Sequence, residues 1–190
     1  WDARITGDLF EFNDQMVRAA FGAELRREKI TDEPSLNAQS RFDNDYLVDV
    51  FGFGSSFSTA SRNQAAVFGE VYVPLTAQIE MLAAGRYDHY SDFGSTTNPQ
   101  LTMKWRPVDN FTMRASFGQG FRAPSLAQIG LGPSQESVFF TDSFRCPTPD
   151  ASNPACAATD YTIVFVGTEG LQPEESETYN LGAVWQVTDE

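Results

Sequence analysis

Asn110–Gln128 reads N-F-T-M-R-A-S-F-G-Q-G-F-R-A-P-S-L-A-Q, and its first half alternates strictly. Phe111, Met113, Ala115 and Phe117 fall on one side; Thr112, Arg114, Ser116 and Gly118 fall on the other. A period of two marks a strand whose faces meet different surroundings. The polar face carries charge, while the opposite face is apolar and partly aromatic. Gly118, Gly120 and Pro124 then break the strand, and a long irregular segment opens.

The pattern repeats on both sides of this stretch. Strands are expected over about 3–12, 15–27, 64–74, 77–90, 99–106, 110–121 and 176–188. Val67, Gly69, Val71 and Val73 oppose Phe68, Glu70 and Tyr72; Met81, Ala83, Gly85 and Tyr87 oppose Glu80, Arg86 and Asp88; Leu101, Met103 and Trp105 oppose Thr102, Lys104 and Arg106. Tight turns are expected at Phe12–Gln15, Pro74–Ala77 and Pro107–Asn110. The longer connections are 28–63, Ser91–Pro99 and 122–175. Short turns at one end and longer connections at the other describe an antiparallel meander, the layout of an outer-membrane barrel with long extracellular loops. A water-soluble sheet gives the same alternation, but two details favour lipid. The apolar faces hold small residues (Ala83, Gly85, Ala115, Ala183) that fill a packed core poorly, and Trp105, Phe111 and Trp185 cluster near strand ends as an interfacial girdle does.

Composition narrows the classes further. The chain has 190 residues, 41% hydrophobic and 21% charged, which excludes a disordered tail, and no apolar run is long enough for a membrane-spanning helix. Its net charge of −13 makes nucleic acid an unsuitable partner. The chain opens at Trp1 without an initiator methionine and stops in a turn-like Thr188-Asp189-Glu190, so it is expected to be a piece of something longer. Its two cysteines, Cys146 and Cys156, sit in C-P-T-P-D-A-S-N-P-A-C. A structural zinc wants four ligands; a disulfide pinning a loop tip in an oxidising compartment is the better reading.

Three runs together resemble TonB-dependent receptors of the Gram-negative outer membrane: R-Y-D-H-Y-S-D-F-G-S-T-T-N-P (Arg86–Pro99), W-R-P-V-D-N-F-T-M-R-A-S-F-G-Q-G-F-R-A-P-S-L-A-Q (Trp105–Gln128) and L-Q-P-E-E-S-E-T-Y-N-L-G (Leu171–Gly182). The likeness covers about Ala65 to Gln186. It implies an all-β fold, with residues 1–190 forming an incomplete segment of one transmembrane barrel domain set in outer-membrane lipid. It also implies energised uptake of a nutrient such as a siderophore, a vitamin or an oligosaccharide, with a plug domain and TonB as partners in the full-length protein. No cofactor and no covalent chemistry are expected. About seven strands cannot close a wide barrel, so the segment should not transport alone.

Glu70, Glu80, Arg86, Asp88, Lys104 and Arg114 share the polar faces of successive strands. They are candidates to line the substrate pathway, or they satisfy one another as cross-strand ion pairs, which their interspersed signs favour. Arg122, Phe139, Phe140 and Tyr161 are candidate loop contacts, with Phe144 and Phe165 beside them; the aromatics could equally build a small satellite core. Gly118–Ala123 matches a dinucleotide fingerprint but lacks a βαβ setting, so its glycines read as a bend at the barrel rim. Asp43, Asp45 and Asp49 read as a solvated acidic loop rather than a calcium site. His89, the single histidine, falls on the apolar face, where packing outweighs catalysis. The rivals are a soluble ligand-binding β-sandwich and an outer-membrane barrel hydrolase built on His89.

Overall fold

The structure is a computed structural model; it describes residues 1–35, 41–43, 46–48, 57–148, 150 and 152–187. Asp45 and Asp49 therefore lie outside the described residues, and of Asp43 only the backbone is described. The chain forms two compact units.

The first unit (1–28, 62–124 and 170–190) carries most of a seven-stranded antiparallel meander. Its strands are β1 (Asp2–Phe12), β2 (Gln15–Asp32), β5 (Ser58–Pro74), β6 (Ile79–Tyr90), β7 (Gly94–Val108), β8 (Phe111–Arg122) and β11 (Glu174–Trp185), neighbours in that order. Each one-step turn has its own local chemistry. Asn13 and Asp14 both adopt positive φ, the twist-matched geometry of a two-residue hairpin. The Thr76 hydroxyl accepts from the amides of Gln78 and Ile79, and Asn13 Nδ2 donates to the Leu75 carbonyl, tying two turns together. Trp185 pairs with Phe111, and Trp105 with Met113, so the expected aromatics do gather at the tight-turn end.

The two faces divide as the alternation predicts. Ile5 is 71% exposed and Leu181 78%, and Phe21, Val67, Tyr87, Leu101, Met103 and Trp185 are also exposed on the apolar face. Among the described residues no sandwich core forms: Val71, Met81 and Phe117 are only half-buried there, while Val17, near the turn end, is fully buried. Burial concentrates instead on the charged side, where Gln64, Ala66, Asp88 and Tyr90 are buried. An extended apolar surface facing outward from a polar lining is what lipid requires.

Two connections differ from expectation. Gly94–Pro99 is strand, not loop, paired from Tyr90↔Gly94 to Gly85↔Pro99, so only Ser91–Phe93 turns the chain. Likewise β2 continues to Asp32 and β5 begins at Ser58. These extensions are rich in Ser, Thr, Asn and charge, so they carry no apolar period although their backbones are strand.

Glycine sets the fit between β2 and β5. A Cβ added at Gly22 would overlap the Phe68 ring on the polar face, while on the apolar face the Phe21 ring lies 3.0 Å from where a Cβ of Gly69 would be. Each strand thus covers its neighbour's glycine with an aromatic ring, on opposite faces, a device that pins register.

The second unit (29–61 and 125–169) holds two small hairpins. β3 (Arg41–Asp43) pairs with β4 (Tyr46–Val48), and β9 (Ser134–Phe140) with β10 (Thr159–Phe165). A single-turn helix, α1 (Leu126–Gly130), carries a complete capping box: Ser125 Oγ accepts from the Gln128 amide, and Gln128 Oε1 accepts from the Ser125 amide. The spacing S-x-x-Q was its signal. Cys146 and Cys156 form a disulfide across the tip of the longer hairpin. Beside it Asp150 accepts from the Ser152 hydroxyl and amide, which holds its carboxyl below the usual range.

Two outcomes follow for the full-length protein in vesicles. Gly22→Val is expected to lower unfolding stability by about 1–3 kcal/mol through overpacking, with Phe68→Ala relieving it, while Gly7→Val, with nothing within 4 Å of its Cβ position, has little effect. Replacing Cys146 and Cys156 by Ser is expected to make 141–158 the first site of limited proteolysis, since closing so short a loop is worth roughly 3 kcal/mol of chain entropy; an unchanged cleavage pattern contradicts it.

Candidate functional site

The polar face presents a run of ion pairs set by strand register. Arg18 pairs with Asp8 at 3.3 Å across β1 and β2. Arg4 on β1 reaches past β2 to Glu70 on β5 at 3.4 Å, because the intervening positions opposite Arg4 and Thr6 are Gly22 and Ala20. Lys104 contacts both carboxylate oxygens of Glu80 at 3.2 Å, directly across β6 and β7.

The densest cluster is centred on Asp88, whose side chain is 1% exposed. Arg86 donates to it from Nε and Nη2 at 2.9–3.0 Å, and Gln64 Nε2 adds a third donor at 3.0 Å. Arg86 Nη2 also reaches Glu24 at 3.1 Å, and the guanidinium lies over the Phe68 ring at 5.8 Å. The arrangement leaves the buried carboxylate satisfied, as a buried charge requires. An open cleft of about 690 Å³ lies against it, lined by Arg4, Glu24, Arg26, Phe68 and Arg86 among others.

Towards the Tyr90 end stands a second hub. Arg62, 10% exposed, donates to Glu28 at 2.8 Å and to the Pro124 carbonyl at 2.7 Å, and lies over Tyr90 at 5.2 Å. Tyr90 stacks on Phe93 at 4.5 Å and meets Phe121 edge-on at 5.8 Å.

Of the sequence candidates, Glu70, Glu80, Arg86, Asp88 and Lys104 are thus brought into ion pairs. Arg114 is exposed, faces Lys104 directly, and has no ion pair among the described residues. Arg122 pairs with Glu174 at 2.5 Å at the top of the wall. In the second unit Phe140 and Tyr161 stack at 4.2 Å, while Phe139 is 73% and Phe144 92% exposed. His89 is exposed on the apolar face, where its Nδ1 and the Tyr87 hydroxyl both bond to Ser95 Oγ, at 2.9 and 2.8 Å. Among the described residues no carboxylate hydrogen-bonds to that ring.

Sequence reasoning missed Glu24, Glu28, Gln64, Tyr90 and above all Arg62. Glu24 and Glu28 were legible as even positions of β2. Arg62 lies outside any recognised period, and its partners are 34 and 62 positions away.

Residues 1–189 match the family model described as "TonB dependent receptor-like, beta-barrel". The chain belongs to this family. It is a segment of an outer-membrane β-barrel, and the family is one of receptors rather than hydrolases. The TonB-dependent receptor segment is 27% identical to the ferric enterobactin receptor PirA of Pseudomonas aeruginosa over 161 residues, 85% of this chain and 20% of that protein. It is 27% identical to the iron-regulated outer membrane virulence protein of Vibrio cholerae over 110 residues, 58% of this chain and 14% of that protein. The crystal structure of the siderophore receptor PirA from Acinetobacter baumannii shares its fold with a TM-score of 0.69 at 17% identity, covering 99% of this chain and 24% of that one. A point mutant of the ferric enterobactin receptor PfeA of Pseudomonas aeruginosa, in complex with enterobactin, gives 0.68 at 18% identity, covering 97% of this chain and 24% of that one. The segment therefore spans about a fifth of the length of the first curated relatives it matches.

Breaking the buried pair should be costly for the barrel wall. Arg86→Met is expected to destabilise the full-length protein by about 3 kcal/mol, the low end for a stranded buried charge because Arg86 itself stays partly solvated. Adding Asp88→Leu is expected to recover much of that loss in urea unfolding from vesicles; equal instability of single and double variants contradicts the pairing.

Proposed function

We propose that the segment is part of an energy-coupled outer-membrane receptor that takes up a ferric siderophore. The family match over nearly the whole chain carries this reading, and the convergence of its relatives' names on iron and siderophores narrows the cargo from the wider set that includes vitamins and oligosaccharides. In this reading residues 1–190 belong to one barrel domain, whose missing strands close the wall against the edges of β1 and β11. A plug domain fills the bore, and TonB supplies the energy that displaces it.

The polar face is then the bore lining. Glu80 is paired with Lys104, Asp88 with Arg86 and Glu70 with Arg4, so these side chains present a hydrated wall of low net charge to a passing chelate. Arg114, with no ion pair among the described residues, is available to meet an acidic group of the plug or the cargo. Arg122, in the first unit, offers hydrogen-bond donors to an anion; separately, the second unit's loop aromatics Phe139, Phe140 and Tyr161 offer stacking area to an aromatic ligand.

The test is binding and uptake by the full-length receptor. Ferric enterobactin is expected to quench intrinsic fluorescence saturably and to be taken up only when TonB is present. Phe139→Ala with Tyr161→Ala is expected to weaken binding about tenfold, without altering the heat-modifiable mobility of the folded barrel. Saturable binding of cyanocobalamin or a malto-oligosaccharide, with none of the ferric chelate, overturns the assignment of cargo.

A further inference from the structure

The ladder between β7 and β8 stops at Gln100↔Gly118, although β7 reaches back to Gly94 and β8 on to Arg122. Beyond that point the strands fork. Gly94–Pro99 stays with β6, and Gln119–Arg122 stays with β11. A cleft of about 210 Å³ lies over the fork, lined by Ser95, Thr96, Thr97 and Asn98 on one side and by Gln119 and Gly120 on the other, and it continues onto Glu175–Glu177 of β11. Two strand edges thus face each other unpaired, an arrangement that sheets normally avoid.

Arg62 explains what draws them apart. It stands on β5, and β6 and β7 lie between it and β8 in the sheet. Yet its Nη1 holds the Pro124 carbonyl, and Phe121 meets Tyr90 on β6. The chain leaving β8 therefore crosses the inner face of two strands to reach its clasp. The clasp is itself incomplete. Both carboxylate oxygens of Asp92 are buried without a hydrogen-bond partner, the nearer guanidinium nitrogen being 3.7 Å away. A buried carboxylate in that condition is destabilising.

We propose that the upper end of β8 is a two-state element: clasped to Arg62 with the β7–β8 fork open, or released and zipped onto β7. Continuing the existing register places Gly120 opposite Asn98, Phe121 opposite Thr97 and Arg122 opposite Thr96. The two arrangements exclude each other, because zipping takes Phe121 from Tyr90 and Pro124 from Arg62. Zipping gains ladder bonds, less the one that Pro99 cannot donate, and opens Asp92 to water. Clasping keeps the guanidinium bond to Pro124, its buried pairing and the aromatic contact. Each state holds what the other lacks, which is the condition for a switch. Resting on the receptor reading, this puts the switch at the root of the outer loop that follows Pro124, where arriving cargo can bias it. The switch is nonetheless testable without cargo.

The experiment uses the full-length receptor in vesicles with cysteines at Asn98 and Gly120, keeping the Cys146–Cys156 disulfide. A Thr102→Cys, Ser116→Cys pair, whose positions are paired directly in this structure, serves as the reference. Oxidative cross-linking of the 98–120 pair, followed by mass spectrometry of its peptides, is expected to be slow with Arg62 present. Arg62→Met is expected to accelerate it at least tenfold while the 102–116 rate stays constant. Phe121→Leu loosens the clasp from its other side and is expected to act in the same direction, which keeps the test available if Arg62→Met does not fold. Equal 98–120 rates with and without the clasp, or a wild-type rate already matching the 102–116 pair, overturn the proposal. Failure to bind ferric enterobactin leaves these rates untouched, so an error in cargo and an error in the switch are told apart.

Discussion

A strand in hydrocarbon has no water to complete its hydrogen bonds, so every backbone amide and carbonyl must be met by a neighbouring strand. That constraint fixes the register of this sheet, and register in turn decides which side chains meet. Because side chains alternate, a slip of one residue would send the whole charged set into lipid. The reciprocal covering of Gly22 by Phe68 and of Gly69 by Phe21 guards against such a slip at the β2–β5 junction, from both faces at once.

Once the register is set, the polar face organises itself by proximity. Glu80 lies opposite Lys104, and Arg4 reaches Glu70 over small residues. Asp88 is buried but fully supplied with donors. The face is thus charged in composition yet nearly self-neutralising in space. That suits the proposed role of this face as a bore lining, since paired charges hold a passing ion weakly. The apolar face needs no such pairing, and its exposure is a match to its solvent rather than a defect.

The wall is not uniform along its height. The tight-turn end is closed by short turns, its ladders interrupted by register shifts at Asp8/Phe10 and Trp105/Val108. The opposite end mixes extended polar strands, a forked β7–β8 junction and the crossing held by Arg62. Order is therefore strongest where the membrane demands it, and alternatives become available where water can satisfy an open edge.

The alternation of Phe111–Gly118 and its counterparts determined the strands, their faces and the antiparallel meander, because a period of two is a local property that tertiary contacts cannot rewrite cheaply. The motif-bearing runs determined the family. Local chemistry also left readable marks that were passed over, such as the S-x-x-Q cap of α1. Gly94–Pro99 reads as loop because polar strands above the membrane lack an apolar side, and only cross-strand pairing reveals them. What the tertiary structure alone decided is who partners whom: Arg62 with Glu28, Tyr90 and Pro124, and the fork that this crossing opens. Those contacts join residues tens of positions apart, whose meeting depends on strand order and register and leaves no periodic trace in the chain.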